Sequence, residues 1–127
     1  MPKKQIIRPA KAASAVGPYN QAVRVGELLF CAGQIPIDPA TGNLVSGDIK
    51  VQTERVLENI KLILDDQKLT FESVIKSTVF LTNMADFAGM NDVYAKYFTV
   101  DFPARSTIQV AGLPKGASVE IEVIAHF

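Results

Sequence analysis

The chain has 127 residues, of which 48% are hydrophobic, and its 13 Lys and Arg residues are balanced by 13 Asp and Glu residues. This length and apolar content predict one domain, residues 1–127, with one core, and the zero net charge disfavours nucleic acid as a partner because no positive field attracts phosphates. Since no apolar run approaches about 20 residues and no secretory signal is visible, we expect no membrane contact and a cytoplasmic location.

The N-terminal part of the chain predicts a strand edge, a hairpin and a turn. A basic cluster with no aromatic residues within it indicates a solvated strand edge without a binding role; its members are Lys3, Lys4, Arg8 and Lys11. Residues 22–25 and 28–32 are apolar runs on either side of Gly26-Glu27, which is typical of a β-hairpin. Residues 38–43 contain the Asp, Pro, Gly and Asn residues of a surface turn.

The middle of the chain predicts two helices and a strand between them. Asp48 is a plausible N-cap, and apolar residues then recur at helical spacing, which predicts an amphipathic helix over residues 48–67. Residues 74–82 are rich in β-branched and aromatic side chains and predict a strand. After a second cap candidate, Asp86, apolar residues recur at helical spacing as far as Phe98 and predict the second helix.

Two further strands are predicted in the last quarter, over residues 105–111 and 118–125. The loop between them, residues 112–117, is short and favours an antiparallel hairpin. The resulting order, β-β-α-β-α-β-β, predicts an α+β domain in which two helices pack on one face of a mixed sheet. The other face then has no cover within the chain.

Alternation along the last two strands predicts which residues lie on the uncovered face. The more apolar rows suit the helix side: Ser106, Ile108 and Val110 on one strand, and Val119, Ile121 and Val123 on the other. A polar group is then expected to project together from the uncovered face: Arg105, Thr107, Gln109, Glu120 and Glu122. Either this is a solvated face with cross-strand ion pairs, or subunits meet there and the charged groups line a pocket.

Cys31 and His126 are the only cysteine and histidine in the sequence. An intrachain disulfide, a cysteine or histidine metal cluster and a histidine-based triad are therefore excluded. Because the chain also lacks a glycine-rich nucleotide loop, we expect an activity without metal or cofactor. Its proton chemistry then falls to carboxylates, tyrosines, arginine or bound water.

Several segments, in matching order from about residue 6 to 125, resemble the Rid (YjgF) family of deaminases. The early ones are GPYNQA at 17–22, GQIP at 33–36 and the DF-x-x-x-N start of a helix at 86–91. The C-terminal signature is FPARST at 102–107, VAGLPKGA at 110–117 and VEIE at 119–122. Agreement over this length is more specific than any single motif.

The resemblance implies a chorismate-mutase-like fold that assembles as a homotrimer with clefts between neighbouring subunits, which would cover the open sheet face. It also implies hydrolysis of reactive enamines and imines, 2-aminoacrylate and 2-aminocrotonate, to 2-keto acids and ammonia. Some relatives are proposed to have other roles, so a trimer that binds 2-keto acids without turnover, or that regulates translation, is the alternative.

The resemblance also assigns roles to residues. Arg105 matches the arginine that binds the substrate carboxylate, for which a planar guanidinium offers two parallel hydrogen bonds. Glu120 matches the acid that orients the attacking water, and we prefer it to Glu122. Tyr19 matches a pocket tyrosine, and Gly33 permits close approach of the backbone to a ligand.

Asn91 lies in the matching helix and is the weakest candidate, since an exposed helix asparagine explains it equally well. Two positions depart from the family pattern. Ala32 stands where many members have serine, and Thr107 stands where many have cysteine. The backbone N–H of Thr107 still suits a carboxylate oxygen, whereas a hydroxyl at position 32 is lost. These departures affect the expected rate or substrate preference more than the reaction class.

The predicted hairpin leaves a geometric difficulty. Its register pairs Gln109 with Glu120, so Arg105 lies four residues further along, or about 13 Å at the strand rise. Contact between Arg105 and Glu120 then requires a β-bulge, a bridging substrate and water, or a neighbouring subunit.

Overall fold

Six strands and two α-helices follow one another along residues 3–127, the part of the chain that the computed structural model describes. They are β1 (Gln5–Ile7), β2 (Ala22–Val25), β3 (Leu28–Gln34), α1 (Ile49–Asp66), β4 (Val74–Leu81), α2 (Phe87–Tyr97), β5 (Ala104–Gln109) and β6 (Val119–His126). The strands form one mixed sheet in the order β1-β2-β3-β6-β4-β5. The α+β prediction is confirmed, with β1 as an additional edge strand.

Helix α1 forms because a polar cap precedes a long apolar stripe. The Asp48 carboxylate accepts a hydrogen bond from the N–H of Val51, at 3.0 Å, as the sequence predicted. The stripe that follows is fully buried against the sheet: Val56, Leu57, Ile60, Ile63 and Leu64. In α2, by contrast, Asp86 precedes the helix but makes no side-chain cap hydrogen bond. None of the helices described over residues 3–127 is long and apolar enough to span a membrane.

Both helices lie on one face of the sheet, and the core lies between them and that face. The predicted inward row of β6 is confirmed, since Val119, Ile121 and Val123 are buried. The opposite face carries large apolar side chains that remain 37–45% exposed within one chain, among them Leu28, Phe30 and Ile108. The sheet therefore has an apolar face that the chain itself does not cover.

The predicted antiparallel hairpin of the last two strands is wrong. Strand β5 pairs in parallel with β4, and β6 pairs with the other side of β4 in antiparallel. The reason is that β4 and β5 are joined through α2, and a helical crossover of this kind produces parallel neighbours. The segment 110–118 instead passes over the end of β4, where Val110 N donates to Leu81 O at 2.8 Å and Thr82 N donates to Ser118 O at 3.2 Å.

The predicted face of β5 is also wrong. Arg105 is the register partner of the buried Ser77, and Thr107 is the partner of the buried Val79, so both project toward the helices. The uncovered face instead receives Ser106 and Ile108, whereas Glu120 and Glu122 lie on it as predicted. The reason is that β5 is an edge strand, and the neighbour on its helix side is the partly polar start of α2 rather than the apolar stripe of α1.

Candidate active site

The residues that the sequence singled out fall into two separate pockets. We call the first the arginine pocket; it has a volume of about 490 Å³ and is lined by Asn91, Tyr94, Ala95, Phe98, Thr99, Phe102, Pro103 and Arg105. We call the second the glutamate pocket; it has a volume of about 430 Å³ and is lined by residues 13–16, Tyr19, Gln21, residues 32–35, Ile37, Pro114 and Glu120. Thr107 lines neither pocket.

Arg105 is held in place by neutral groups. Its Nη1 donates to Asn91 Oδ1 at 2.8 Å, and its Cζ lies 4.6 Å from the centroid of the Tyr94 ring and 5.6 Å from that of Phe87. None of the ion pairs found within residues 3–127 involves Arg105. A half-buried guanidinium that has no carboxylate partner among the described residues is suited to pairing with an external anion.

A buried hydroxyl pair fixes the ring beneath Arg105. Tyr94 Oη and Ser77 Oγ lie 2.6 Å apart, and Ser77 is fully buried. Tyr94 also stacks on Phe98, with ring centroids 4.3 Å apart. Burial raises the pKa of Tyr94 more than the hydrogen bond from Ser77 and the charge of Arg105 lower it, so this hydroxyl remains neutral. The guanidinium therefore rests on a rigid, uncharged platform.

Glu120 lies over Gly33 because the pairing of β3 with β6 is irregular at the C-terminal end of β3. The register of β3 against β6 shifts between Cys31 and Gln34, which brings the backbone of Gly33 under the Glu120 side chain. A Cβ at position 33 would overlap the carboxylate and would lie only 2.8 Å from Glu120 Cδ. Glycine at position 33 leaves space for the Glu120 carboxylate, whereas the sequence predicted that it leaves space for a ligand.

The surroundings of the Glu120 carboxylate change its pKa. Among residues 3–127 no side-chain hydrogen bond or ion pair holds it. Partial burial, and to a lesser extent the negative charge of Glu122, raise the pKa of Glu120 above its ordinary value. A carboxyl whose pKa is raised toward neutrality is better suited to accept a proton from water and to return it.

Two buried polar side chains of α1 fix the segments around the glutamate pocket. Asn59 Nδ2 donates to the carbonyl oxygens of Ile37, at 2.8 Å, and of Ile35, at 3.3 Å. Gln52 Oε1 accepts from the N–H of Ser118, at 3.0 Å, just before β6 begins. The wall after β3 and the strand that carries Glu120 are therefore both tied to the same helix.

Tyr19 forms another wall of the glutamate pocket and is 47% exposed. Its hydroxyl accepts a hydrogen bond from the N–H of Val16 at 3.3 Å, which orients the ring within the loop 13–20. Ala32 also lines this pocket and contributes no hydroxyl there. The loop leaves the exposed part of the Tyr19 ring available to a ligand or to another chain.

A single chain does not bring Arg105 and Glu120 together. Arg105 lies beside Ser77 on one side of β4, and Glu120 lies beside Phe80 on the other. These registers separate their Cα atoms by about 10 Å along the strands and about 9 Å across them. The two side chains also project from opposite faces of the sheet, so a three- or four-carbon substrate cannot contact both within one chain.

The sequence did not point to Tyr94 or Phe102 as part of a site. Tyr94 follows the helical spacing of core residues and does belong to the core, but its ring face also supports Arg105. Its signal was the spacing Asn91-x-x-Tyr94, which places both residues on one side of α2. Phe102 is 73% exposed and borders the arginine pocket, and its only signal in the sequence was its place at the start of the FPARST segment.

Cysteine chemistry does not fit this chain. Cys31 is buried, and burial raises the pKa of its thiol to about 12, so little thiolate forms near neutral pH. The charged side chains that line the two pockets are the Arg105 guanidinium and the Glu120 carboxylate. Together they suit the binding of an anion and the handling of a water proton.

The chain is similar to proteins of one family over nearly its whole length. A family model described as endoribonuclease L-PSP matches residues 9–127. A RutC family protein of Pyrococcus horikoshii is 53% identical, and the alignment covers 97% of this chain and 98% of that protein. The 2-iminobutanoate/2-iminopropanoate deaminase of Capra hircus is 48% identical, over 96% of this chain and 89% of that protein.

A solved structure is also similar to this chain over nearly its whole length. The crystal structure of E. coli TdcF with bound serine superposes with a TM-score of 0.91 at 42% identity, and the match covers 97% of this chain and 98% of that one.

Proposed function

Because this chain belongs to the endoribonuclease L-PSP family, which is also called the Rid or YjgF family, we propose that it is an imine deaminase. Its substrates are 2-aminoacrylate, 2-aminocrotonate and the imines with which they interconvert. The products are 2-keto acids and ammonia. Relatives that carry the name of 2-iminobutanoate/2-iminopropanoate deaminase, at 48% identity, support this reaction class.

The uncompensated guanidinium of Arg105 is the observation that carries the proposal. Asn91 and Tyr94 orient it, yet neither neutralises its charge, so a planar carboxylate is the matching ligand. Every substrate proposed here has a carboxylate next to the reacting carbon. Binding at Arg105 therefore fixes the position of the C=N bond.

Glu120 supplies the proton transfers. It orients a water molecule and accepts one of its protons as the water oxygen bonds to the imine carbon. The π electrons of the C=N bond move to nitrogen, and Glu120 gives that nitrogen the proton it took from water, which forms a carbinolamine. Glu120 then accepts the proton of the new hydroxyl and passes it to the amino nitrogen, so that the C–N bond breaks, ammonia leaves and the keto group forms. The raised pKa of Glu120 suits both directions of transfer.

We propose that the site is completed between copies of the chain in a homotrimer with a chorismate-mutase-like arrangement. Arg105 and Glu120 project from opposite faces and line different pockets, so one copy provides the arginine pocket and its neighbour provides the glutamate pocket. The exposed apolar face of the sheet supports the assembly, since contact with other copies removes that surface from water.

Turnover is tested with an enzyme that releases the substrate. Purified protein is added to a serine or threonine dehydratase, and the decay of the enamine absorbance is followed with and without it. Faster decay that depends on protein concentration is expected. An unchanged decay rate would contradict the proposal.

Substitution of Glu120 separates an enzyme from a binding protein. Glu120→Ala is expected to abolish the accelerated decay while 2-keto acids still bind, because Arg105 is intact. Glu27→Ala is the control, since Glu27 is a carboxylate with a 77% exposed side chain outside both pockets. Full activity of Glu120→Ala would remove Glu120 from the mechanism.

A further inference from the structure

The arginine pocket continues past the guanidinium as an apolar groove. Arg105 Cζ lies 4.6 Å from the Tyr94 ring centroid, and the Tyr94 and Phe98 rings stack with centroids 4.3 Å apart. The floor of the pocket therefore runs from a cationic end at Arg105 to an aromatic end at Phe98. A ligand that matches it has an anionic group at one end and an apolar group at the other.

Phe102 forms the rim at the apolar end. It is 73% exposed, the largest exposure of any large hydrophobic residue described over residues 3–127. Asp101, the residue before it, has a φ of 48°, in the left-handed region, which aspartate adopts more readily than most residues do. The turn at Asp101 leaves the Phe102 ring at the border of the pocket, where a bound ligand contacts it.

The groove is larger than a three- or four-carbon substrate requires. A volume of about 490 Å³ lies within the usual range of small-molecule sites, and a three- or four-carbon imino acid fills only a fraction of it. With the carboxylate at Arg105, a longer side chain extends over Phe98 toward Phe102. We infer that this groove is the side-chain subsite, and that the chain prefers 2-imino acids with bulky apolar or aromatic side chains.

The reaction in this inference rests on the proposed function, whereas the binding preference does not. The 2-keto acid products carry the same carboxylate and side chain and do not react, so they report the subsite without turnover. Full burial of a leucine-sized side chain corresponds to more than tenfold in a binding constant. Because the groove is open on one side, we expect about a tenfold preference.

The test measures the binding of pyruvate and of 4-methyl-2-oxopentanoate by calorimetry. Wild-type protein is expected to bind the larger acid about tenfold more tightly. Phe102→Ala is expected to lose most of this preference, because its affinity for 4-methyl-2-oxopentanoate falls by more than its affinity for pyruvate. Val100→Ala is the matched control, because Val100 is 50% exposed in the same loop but does not line the pocket.

Turnover of the imines that an amino-acid oxidase forms from alanine and from leucine separates the two proposals. Tighter binding of the larger acid without turnover of either imine supports the subsite and refutes the deaminase. Equal binding of both acids, with turnover of both imines, supports the deaminase and overturns the subsite. The subsite is also overturned if Val100→Ala loses the preference as Phe102→Ala does. A change in sedimentation mass for Phe102→Ala would overturn it as well, because Phe102 would then be a contact between copies.

Discussion

Replacement of Arg105 by alanine is expected to remove substrate binding without unfolding the protein. The guanidinium has no anionic partner within residues 3–127, so its loss leaves no buried carboxylate unpaired in the chain. What is lost is a charge-assisted contact with the substrate carboxylate, at about 2 to 5 kcal/mol. Since each 1.4 kcal/mol is tenfold, kcat/KM should fall by a factor of roughly 30 or more.

Two further variants test the geometry at this position. Arg105→Lys should recover only part of the activity, because an ammonium keeps the charge but cannot form two parallel hydrogen bonds. Arg24→Ala is the matched control: Arg24 also lies over an aromatic ring, with its Cζ 3.6 Å from the Phe127 centroid, but outside both pockets. Enamine hydrolysis and sedimentation mass are measured for all three. Near-normal hydrolysis by Arg105→Ala with an unchanged mass would refute the assignment of the carboxylate site.

Three more substitutions give different signatures. Glu122→Gln removes a charge that raises the pKa of Glu120, so ionised Glu120 persists to lower pH and the acid limb of the kcat/KM profile should move to lower pH. Gly33→Ala places a methyl group where the Glu120 carboxylate lies, so kcat should fall about tenfold or more while the circular dichroism spectrum is unchanged. Tyr94→Phe leaves the Ser77 hydroxyl without its partner, so the free energy of unfolding in urea should fall by about 1 to 3 kcal/mol, with a smaller loss of kcat/KM than Arg105→Ala causes.

For each of these three predictions, a specific result would contradict it. An acid limb that stays in place or moves to higher pH in Glu122→Gln would show that ionised Glu120 is not required. Gly112→Ala is the control for Gly33→Ala, because an added Cβ at Gly112 meets nothing within 4 Å, and an equal loss of kcat in both variants would deny a specific effect. Unchanged urea unfolding of Tyr94→Phe would show that the buried hydroxyl pair does not contribute to stability.

The helices and the first hairpin could be predicted because their signals are local. Asp48 caps α1 as expected, and the hairpin around Gly26 forms with Val25 opposite Leu28. Strand neighbours at the other end of the sheet are not local. The short loop favoured pairing of β5 with β6, but the crossover through α2 placed β5 beside β4 instead.

The same limit applies to the site. Motifs identified Arg105 and Glu120 as candidates, and the apolar-row argument placed Glu120 on the correct face. The apolar-row argument failed for Arg105 because β5 is an edge strand that only part of a helix covers. On that side the polar Asn91 accepts a hydrogen bond from the Arg105 guanidinium. The bulge that brings Gly33 under Glu120 depends on the register of β3 against β6, which no single segment encodes.

Subunit mixing tests most directly whether imine hydrolysis occurs at a site shared by two copies. Arg105→Ala and Glu120→Ala each retain little or no activity on this account, and they are unfolded together in equal amounts and refolded. In a cyclic trimer each site takes its arginine from one copy and its glutamate from the next, so about a quarter of the sites regain both residues. Recovery of about a quarter of wild-type hydrolysis is the predicted result. No recovery in a mixture that reassembles fully would contradict a site formed between copies.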